Sequence, residues 1–368
     1  MSFTEILDQY ADFDFHGFWR SRTDDHVRQS LSRERLTPMD FLTLLSPVAE
    51  NHLEAMAQKS RRLTIQHFGR TIQLYIPLYI SNFCNSECVY CGFNRRHAIT
   101  RRKLTLEEID IEARKIAQTG MRHVLVLTGE APKLTPLDYL VASVEILKRY
   151  FASISIEMFP MDTEEYVQLQ KAGVDGLTIY QEVYDRQTYG RVHLAGRKTD
   201  YEYRLDAPAR GARAGFRWVN IGALLGLADP RREAFLTGLH AHYLTHRYLE
   251  TEISISMPRI NAAEGGFQSE FSVEDRTFVQ FLTAFRLFLP RAGIPVSTRE
   301  RAVFRDHLMR LGATRLSAGS RTDVGGYSGL EDSQCEQFEI SDERSVDQIV
   351  AAIKAGGLQP VYKDWELF

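Results

Sequence analysis

Three of the chain's four cysteines, Cys84, Cys88 and Cys91, fall within eight residues at the spacing Cys-x-x-x-Cys-x-x-Cys. Three thiolates on so short a loop can hold three corners of a cubane iron–sulfur cluster. That leaves one iron without a protein ligand, and an open metal position is where chemistry happens. A structural zinc site needs four ligands, and His97 is the available fourth. A disulfide framework does not suit an odd count or the reducing compartment expected for this chain. The fourth cysteine, Cys335, stands alone in the long loop 321–344 and reads as a free thiol.

The elements that must position this loop follow from the rest of the sequence. Of 368 residues, 44% are hydrophobic and 25% charged, which excludes a disordered or collagen-like chain. Forty-five basic against 48 acidic residues leave a net charge of −3, too balanced for coating nucleic acid or anionic lipid. The longest apolar runs, such as 281–289, are interrupted by Arg286 and fall short of a membrane span. No basic stretch followed by an apolar one opens the chain, so no signal peptide and a cytoplasmic location are expected.

Residues 1–70 read as a charged helical extension, with a helix over 47–63. Eight short apolar runs follow, at 72–80, 123–127, 153–158, 176–180, 218–225, 252–257, 294–297 and 314–317. The intervening segments carry helix signals. Thr105 and Glu108 have the capping-box spacing, Gly120 and Gly173 stand at helix ends, Thr163 opens one helix and Ser272 caps another. Strands alternating with amphipathic helices form parallel βα units, and eight of them predict an α/β fold, a (β/α)8 barrel. A doubly wound sheet is the alternative, weakened by the lack of Gly-x-Gly-x-x-Gly after the first strand. The barrel is expected over 71–320, with 321–368 closing it as a loop and helix. Such barrels work at the C-terminal ends of their strands. Seven of the eight ends are polar here, including Cys84, Gly129-Glu130, Glu157, Glu182, Arg259, Arg299-Glu300 and Ser317–Ser320.

The cysteine spacing with Tyr90 resembles the signature of the radical S-adenosylmethionine (SAM) superfamily. The stretches YIPLYISNFCNSECVYCGFN, LTGE, YQEVYDRQTYGRVH, RLDAPARGARAG, STRE with FRD, SAGSRTDVGGYS, EQFEISDERS and QPVYKDW narrow this. Running in order from about residue 75 to 365, they are similar to the tyrosine lyase family, 2-iminoacetate synthase of thiamine biosynthesis. The resemblance implies a [4Fe–4S] cluster on Cys84, Cys88 and Cys91 whose open iron chelates SAM. It implies a 5′-deoxyadenosyl radical that takes a hydrogen atom from the amino group of L-tyrosine. Scission of the Cα–Cβ bond then gives 2-iminoacetate (dehydroglycine) and, finally, p-cresol.

The same resemblance suggests roles for other residues. Tyr90 would lie against the adenine, or else be a rim aromatic. Gly129 and Glu130 would approach the methionyl amine of SAM, and Glu157 and Glu182 are further candidates for its amine or ribose. The backbone of 221–226 would pass the adenine. For the carboxylate of the amino-acid substrate, a planar guanidinium binds bidentately. Arg299 is the first choice, with Ser317 and Ser320 as hydroxyl donors; Arg259 competes, and one of these arginines is expected to pair with Glu300 or Asp306 instead. The run 95–103 holds five Lys/Arg and one His and would dock an acidic reductant such as flavodoxin or a ferredoxin. The product would pass directly to a thiazole synthase subunit. The C-terminal stretch KDWELF has no cysteines for a second cluster, unlike the related hydrogenase-maturation lyase.

Two other readings stay open: a radical lyase acting on another aromatic amino acid such as tryptophan, and a zinc-stabilised interaction protein. Metal analysis after anaerobic reconstitution separates the second from the first two. We expect four irons with four sulfides per chain; one zinc would remove the cluster.

Overall fold

Each apolar run becomes a parallel strand, and helices cover the outside, so both faces of a strand are buried. The computed structural model describes residues 2–329 and 336–363. The strands are β1 (Thr71–Ser81), β2 (His123–Thr128), β3 (Ser153–Glu157), β4 (Gly176–Thr178), β5 (Trp218–Gly222), β6 (Glu252–Ser256), β7 (Pro295–Val296) and β8 (Arg315–Ser317). They are hydrogen-bonded in the order β6-β5-β4-β3-β2-β1-β8-β7. The seam between β6 and β7 is bridged at Gly293, whose amide donates to the Ile253 carbonyl and whose carbonyl accepts from Ile255. A Cβ at Gly293 would lie 2.4 Å from Ser254 Oγ, so only glycine brings the seam this close. The expected (β/α)8 barrel is the architecture.

The helices follow their signals with instructive exceptions. Thr105 and Glu108 satisfy each other's amides, and the helix Leu106–Gln118 ends just before Gly120. The next cap is Asp162 rather than Thr163, again with a reciprocal partner, Glu165. Ser272 caps nothing: the helix Asp275–Phe288 starts after Glu274. The reason is Arg259, which binds the Val273 carbonyl and the Asp275 carboxylate and ties down the residues where an earlier turn would form. The helix expected over 47–63 is a 3-10 turn, Pro47–His52, followed by an α-helix, Leu53–Phe68. One strand was not expected: β9 (Gln359–Val361) pairs with β1 at Thr71–Gln73 despite Pro360, as an edge position allows.

The helices before β1 pack on the outer wall. The Phe41 ring stacks on Phe288 at 4.5 Å, and Phe15 meets Phe235 edge-to-face. The top of the barrel is thus free of them. Among the described residues no helix is long and apolar enough to cross a membrane.

What crosses the top is the chain after β8. Residues 336–342 lie over the strand ends and are anchored at Asp342. Its carboxylate pairs with Arg305 at 2.5 Å, both side chains fully buried, and with Arg344 at 2.7 Å. Arg305 also donates to the Ser317 carbonyl at the end of β8. Removing one partner of a buried pair leaves an uncompensated charge, costing about 3–5 kcal/mol. Asp342→Ala is therefore expected to lower the midpoint of urea unfolding markedly, whereas Asp306→Ala, at the exposed end of the Arg344 pair, should barely move it.

Candidate active site

The cysteine loop runs from the end of β1 to residue 103, and its neck is closed by one buried side chain. Asn82 Nδ2 donates to the Thr100 carbonyl (2.8 Å), and Asn82 Oδ1 accepts from the Arg102 amide (2.7 Å). Arg101 turns inward, donating to the carbonyls of Asn82, Phe93 and Asn94. Arg102 pairs with Glu108 at 2.7 Å. This corrects the reading of 95–103 as one solvated docking face: its C-terminal arginines hold the loop together. Arg95 and Arg96 do reach the surface, paired with the buried carboxylate of Glu87.

Two neighbours brace the loop. On one side the Gly129 amide donates to the Ser81 carbonyl and the Asn85 amide to the Glu130 carbonyl. A Cβ at Gly129 would sit 2.3 Å from the Phe83 carbonyl oxygen, so the glycine is required by this packing itself. On the other side residues 192–195 run antiparallel to 87–89, with Val89 to Val192, Leu194 to Glu87 and Glu87 to Ala195 hydrogen bonds.

All three cysteines are free, Cys88 buried and the others half-buried. Burial pushes the Cys91 thiol up to about 11 and raises Cys88 further. A metal cluster must therefore displace protons from both. Donors already face two sulfurs: the Ser86 amide lies 3.5 Å from Cys84 Sγ, and Gln337 Nε2 lies 4.0 Å from Cys91 Sγ. This donor set fits thiolates spread over a cluster. His97, the fourth ligand a zinc site would need, has its Nδ1 turned to the Gly92 carbonyl (3.1 Å). Among the described residues, no three ligand-type side chains converge on a single ion. Cys335 lies outside the described residues.

Beside the loop sits a buried quartet of charges. Arg204 Nη1 pairs with Glu130 Oε1 at 2.8 Å, and Lys198 Nζ with Glu182 Oε1 at 2.7 Å; Arg204 also lies 3.6 Å from Glu182. Two carboxylates and two cations cancel, which makes their burial tolerable. Burial works to raise the Glu182 carboxyl, but Lys198 and Arg204 outweigh it and hold it below the ordinary range. Glu182 is also the one non-glycine with positive φ (71°) among the described residues, a strained placement of the kind found at functional sites. Tyr90, beneath the same ammonium, has its hydroxyl 2.7 Å from His193 Nε2. Glu130, Glu182 and Tyr90 thus come together, joined by Lys198, which the sequence reading did not single out, and by Arg204, which enters there only as the first residue of the stretch RLDAPARGARAG. Both cations sit on short helical turns with no strand-end signature.

Glu157 is not in that quartet. It lines a chamber at the mouth of the barrel with Tyr79, Tyr180, Arg299, Ser317 and Ser320, between apolar walls of Leu125, Leu127 and Phe338. Burial raises the Glu157 carboxyl to about 7, with Glu182 adding to the effect and Arg299 opposing it. The competition between arginines is settled by geometry. Arg259 carries both Glu300 (2.9 Å) and Asp275 (2.9 Å), while the Arg299 guanidinium has no carboxylate within ion-pair distance among the described residues and lies over the Phe338 ring, 3.3 Å from its centroid. Ser317 Oγ accepts from the Thr298 amide, and the buried Ser320 hydroxyl has no partner among the described residues.

Residues 78–237 match the Radical SAM superfamily, and 256–359 match the Biotin and Thiamin Synthesis associated domain. The chain is 39% identical over 350 residues to the 2-iminoacetate synthase of Escherichia coli (strain K12), spanning 94% of this chain and 92% of that protein. The chain belongs to the 2-iminoacetate synthase family. Radical SAM enzymes of this kind are lyases that use a [4Fe–4S] cluster and SAM. The 3-methylornithine synthase of Methanosarcina barkeri (strain Fusaro) is 25% identical, across 89% of this chain and 91% of that one. Among solved structures, HydG, a maturase of the [FeFe]-hydrogenase, superposes with a TM-score of 0.90 at 29% identity, covering 97% of this chain and 81% of that one.

The chamber acid has a signature in stability. A carboxyl whose folded pKa is raised binds its proton more tightly folded than unfolded, so its contribution is full below the unfolded value near 4.5 and is lost as pH rises through about 7. Glu157→Gln is therefore expected to flatten the fall in urea midpoint between pH 5 and 8 relative to the parent chain; parallel profiles would assign the raised acid elsewhere.

Proposed function

We propose that this family member cleaves the Cα–Cβ bond of L-tyrosine to 2-iminoacetate and p-cresol, the product serving assembly of the thiamine thiazole ring. The observation that carries this reading is Arg299, a half-buried guanidinium with no carboxylate partner among the described residues, at the mouth of a chamber walled by aromatic and apolar side chains. Such a site suits a free aromatic amino acid, whose carboxylate completes a bidentate pair. When bound, the [4Fe–4S] cluster and SAM supply the carbon radical that starts homolysis at the substrate amine.

In this reading Cys84, Cys88 and Cys91 are the cluster ligands, and their loop is pre-braced for the task. Gly129-Glu130, Glu182, Lys198 and Arg204 receive the amino-acid end of SAM. Their pairing is internally neutral, so an incoming carboxylate and ammonium can each find an opposite charge without leaving a new one stranded. Tyr90 lies beside the adenosine. In the chamber Arg299 orients the substrate carboxylate, and the Ser320 hydroxyl and neighbouring Ser317 offer further hydrogen bonds. Glu157, with a carboxyl raised to about 7, is matched to take a proton from the substrate ammonium near neutral pH, keeping the amine neutral for loss of a hydrogen atom. Residues 336–342, lying over the strand ends, would limit the access of water to the chamber. Electrons would come from a flavodoxin- or ferredoxin-type reductant, and 2-iminoacetate, which hydrolyses readily, would pass to a thiazole synthase subunit by contact.

Anaerobic turnover with SAM, a reductant and L-tyrosine is expected to release p-cresol and 5′-deoxyadenosine. 5′-Deoxyadenosine without p-cresol, or turnover of L-tryptophan in its place, would reject the substrate assignment and keep the radical chemistry. Cys88→Ala should lose both cluster and cleavage. Arg299→Ala should raise KM for tyrosine at least tenfold, the loss of one charge-assisted bidentate contact.

A further inference from the structure

Residues 336–342 do more than cover the barrel, because consecutive side chains of this strap reach two different parts of the site. The backbone is fixed first. The Gly92 amide donates to the Gln337 carbonyl (3.1 Å), the Gln337 amide to the Thr322 carbonyl (3.2 Å), and the Glu339 amide to the Ala262 carbonyl (2.8 Å). A Cβ at Gly92 would lie 2.7 Å from the Glu336 carbonyl oxygen and 2.8 Å from that of Gln337. The strap therefore rests directly on the residue that follows Cys91.

The backbone bends at Gln337 and Phe338, and their side chains go to different parts of the site. Gln337 turns to the cysteine loop: its Oε1 accepts from the Tyr79 hydroxyl (2.6 Å), and its Nε2 faces Cys91 Sγ (4.0 Å). With the Tyr79 hydroxyl donating to Oε1, the Nε2 amide is the end that faces the sulfur. The flipped amide would set Oε1, an acceptor, against the sulfur, which is repulsive once the sulfur is a thiolate. Phe338 turns to the chamber and lays its ring under the Arg299 guanidinium. A flat ring beneath a flat cation restricts the plane in which the guanidinium can present its donors.

We infer that Gln337 and Phe338 are positioning residues, Gln337 donating an N–H to the Cys91 sulfur in the cluster-bound enzyme and Phe338 holding the plane of Arg299 for the substrate carboxylate. The inference rests on the proposed function for the roles of Cys91 and Arg299. Hydrogen bonds to cluster sulfurs favour the reduced, more negative state and so raise the reduction potential. The two side chains share one backbone and act on two separable quantities, the potential of the cluster and the affinity for substrate.

The test uses the full-length reconstituted enzyme. Gln337→Leu is expected to retain its iron, to lower the cluster midpoint potential measured by EPR-monitored titration, and to shift the EPR signal of the reduced cluster. Tyr79→Phe, which keeps the backbone clamp but frees the amide to turn, should shift the potential in the same direction by less. Phe338→Ala should leave the potential unchanged and raise KM for tyrosine about five- to tenfold with kcat little altered, a change of cation–π size. Phe338→Tyr should restore it. Where Gln337→Leu fails to hold iron, Tyr79→Phe decides the same point. An unchanged potential in these variants, or a parental KM in Phe338→Ala, overturns the inference. A parent chain that binds no four-iron cluster would overturn the proposed function itself, so the two failures are distinct.

Discussion

A long loop carrying three thiols has to be held still without regular secondary structure, and everything above the barrel is arranged around that requirement. Ordering such a loop costs conformational entropy at each residue, and its backbone polar groups must find partners once they leave water. The neck is tied by Asn82, fully buried, and the interior carbonyls are collected by Arg101. The flanks are tied by β2's extension and by 192–195, and the roof by the strap. The braces are backbone hydrogen bonds, glycine contacts and the inward-turned side chains of Asn82 and Arg101, so the loop's shape depends little on its exposed side chains.

The second theme is where charge is balanced and where it is left open. Glu130, Arg204, Glu182 and Lys198 neutralise one another, as do Arg305, Asp342, Arg344 and Asp306, and Arg259 with Glu300. Against this background two groups stand out: Arg299, without a counter-ion among the described residues, and Glu157, with a carboxyl raised by burial to about 7. Both line the same chamber. Satisfied pairs build the frame, and the unsatisfied groups mark where a zwitterion fits.

The barrel was legible because its strands are continuous apolar runs buried on both faces, which periodicity finds readily; the eight runs begin within a residue of the observed strands. The cysteines and polar strand ends were legible for a related reason, since a barrel gathers its strand ends at one mouth. Other features were hidden by their context. Pro360 argues against a strand except at an edge, so β9 was missed. Ser272 looks like a cap until Arg259, elsewhere in sequence, claims the turn. Arg299 and Arg259 are chemically identical in the sequence, and only the placement of Glu300 separates them. Lys198 and Arg204 carry no role in the sequence reading, because nothing local tells that Glu182 and Glu130 meet them. Gln337 and Phe338 sit in a polar stretch whose contacts are all long-range.

The eleven-residue strand β1 carries the cysteine loop at its end and pairs with β2, β8 and β9. Its contact with β8 joins residues separated by 242 positions in sequence, as between Gln73 and Arg315. During synthesis one edge of this strand therefore waits, unpaired, until most of the chain has left the ribosome. Non-local pairing of this kind is slow and leaves an open edge exposed to other chains. The strand that presents the thiols is thus among the last to acquire a complete neighbourhood, and cluster assembly in the cell becomes a late, post-translational event tied to the arrival of the chain's final third.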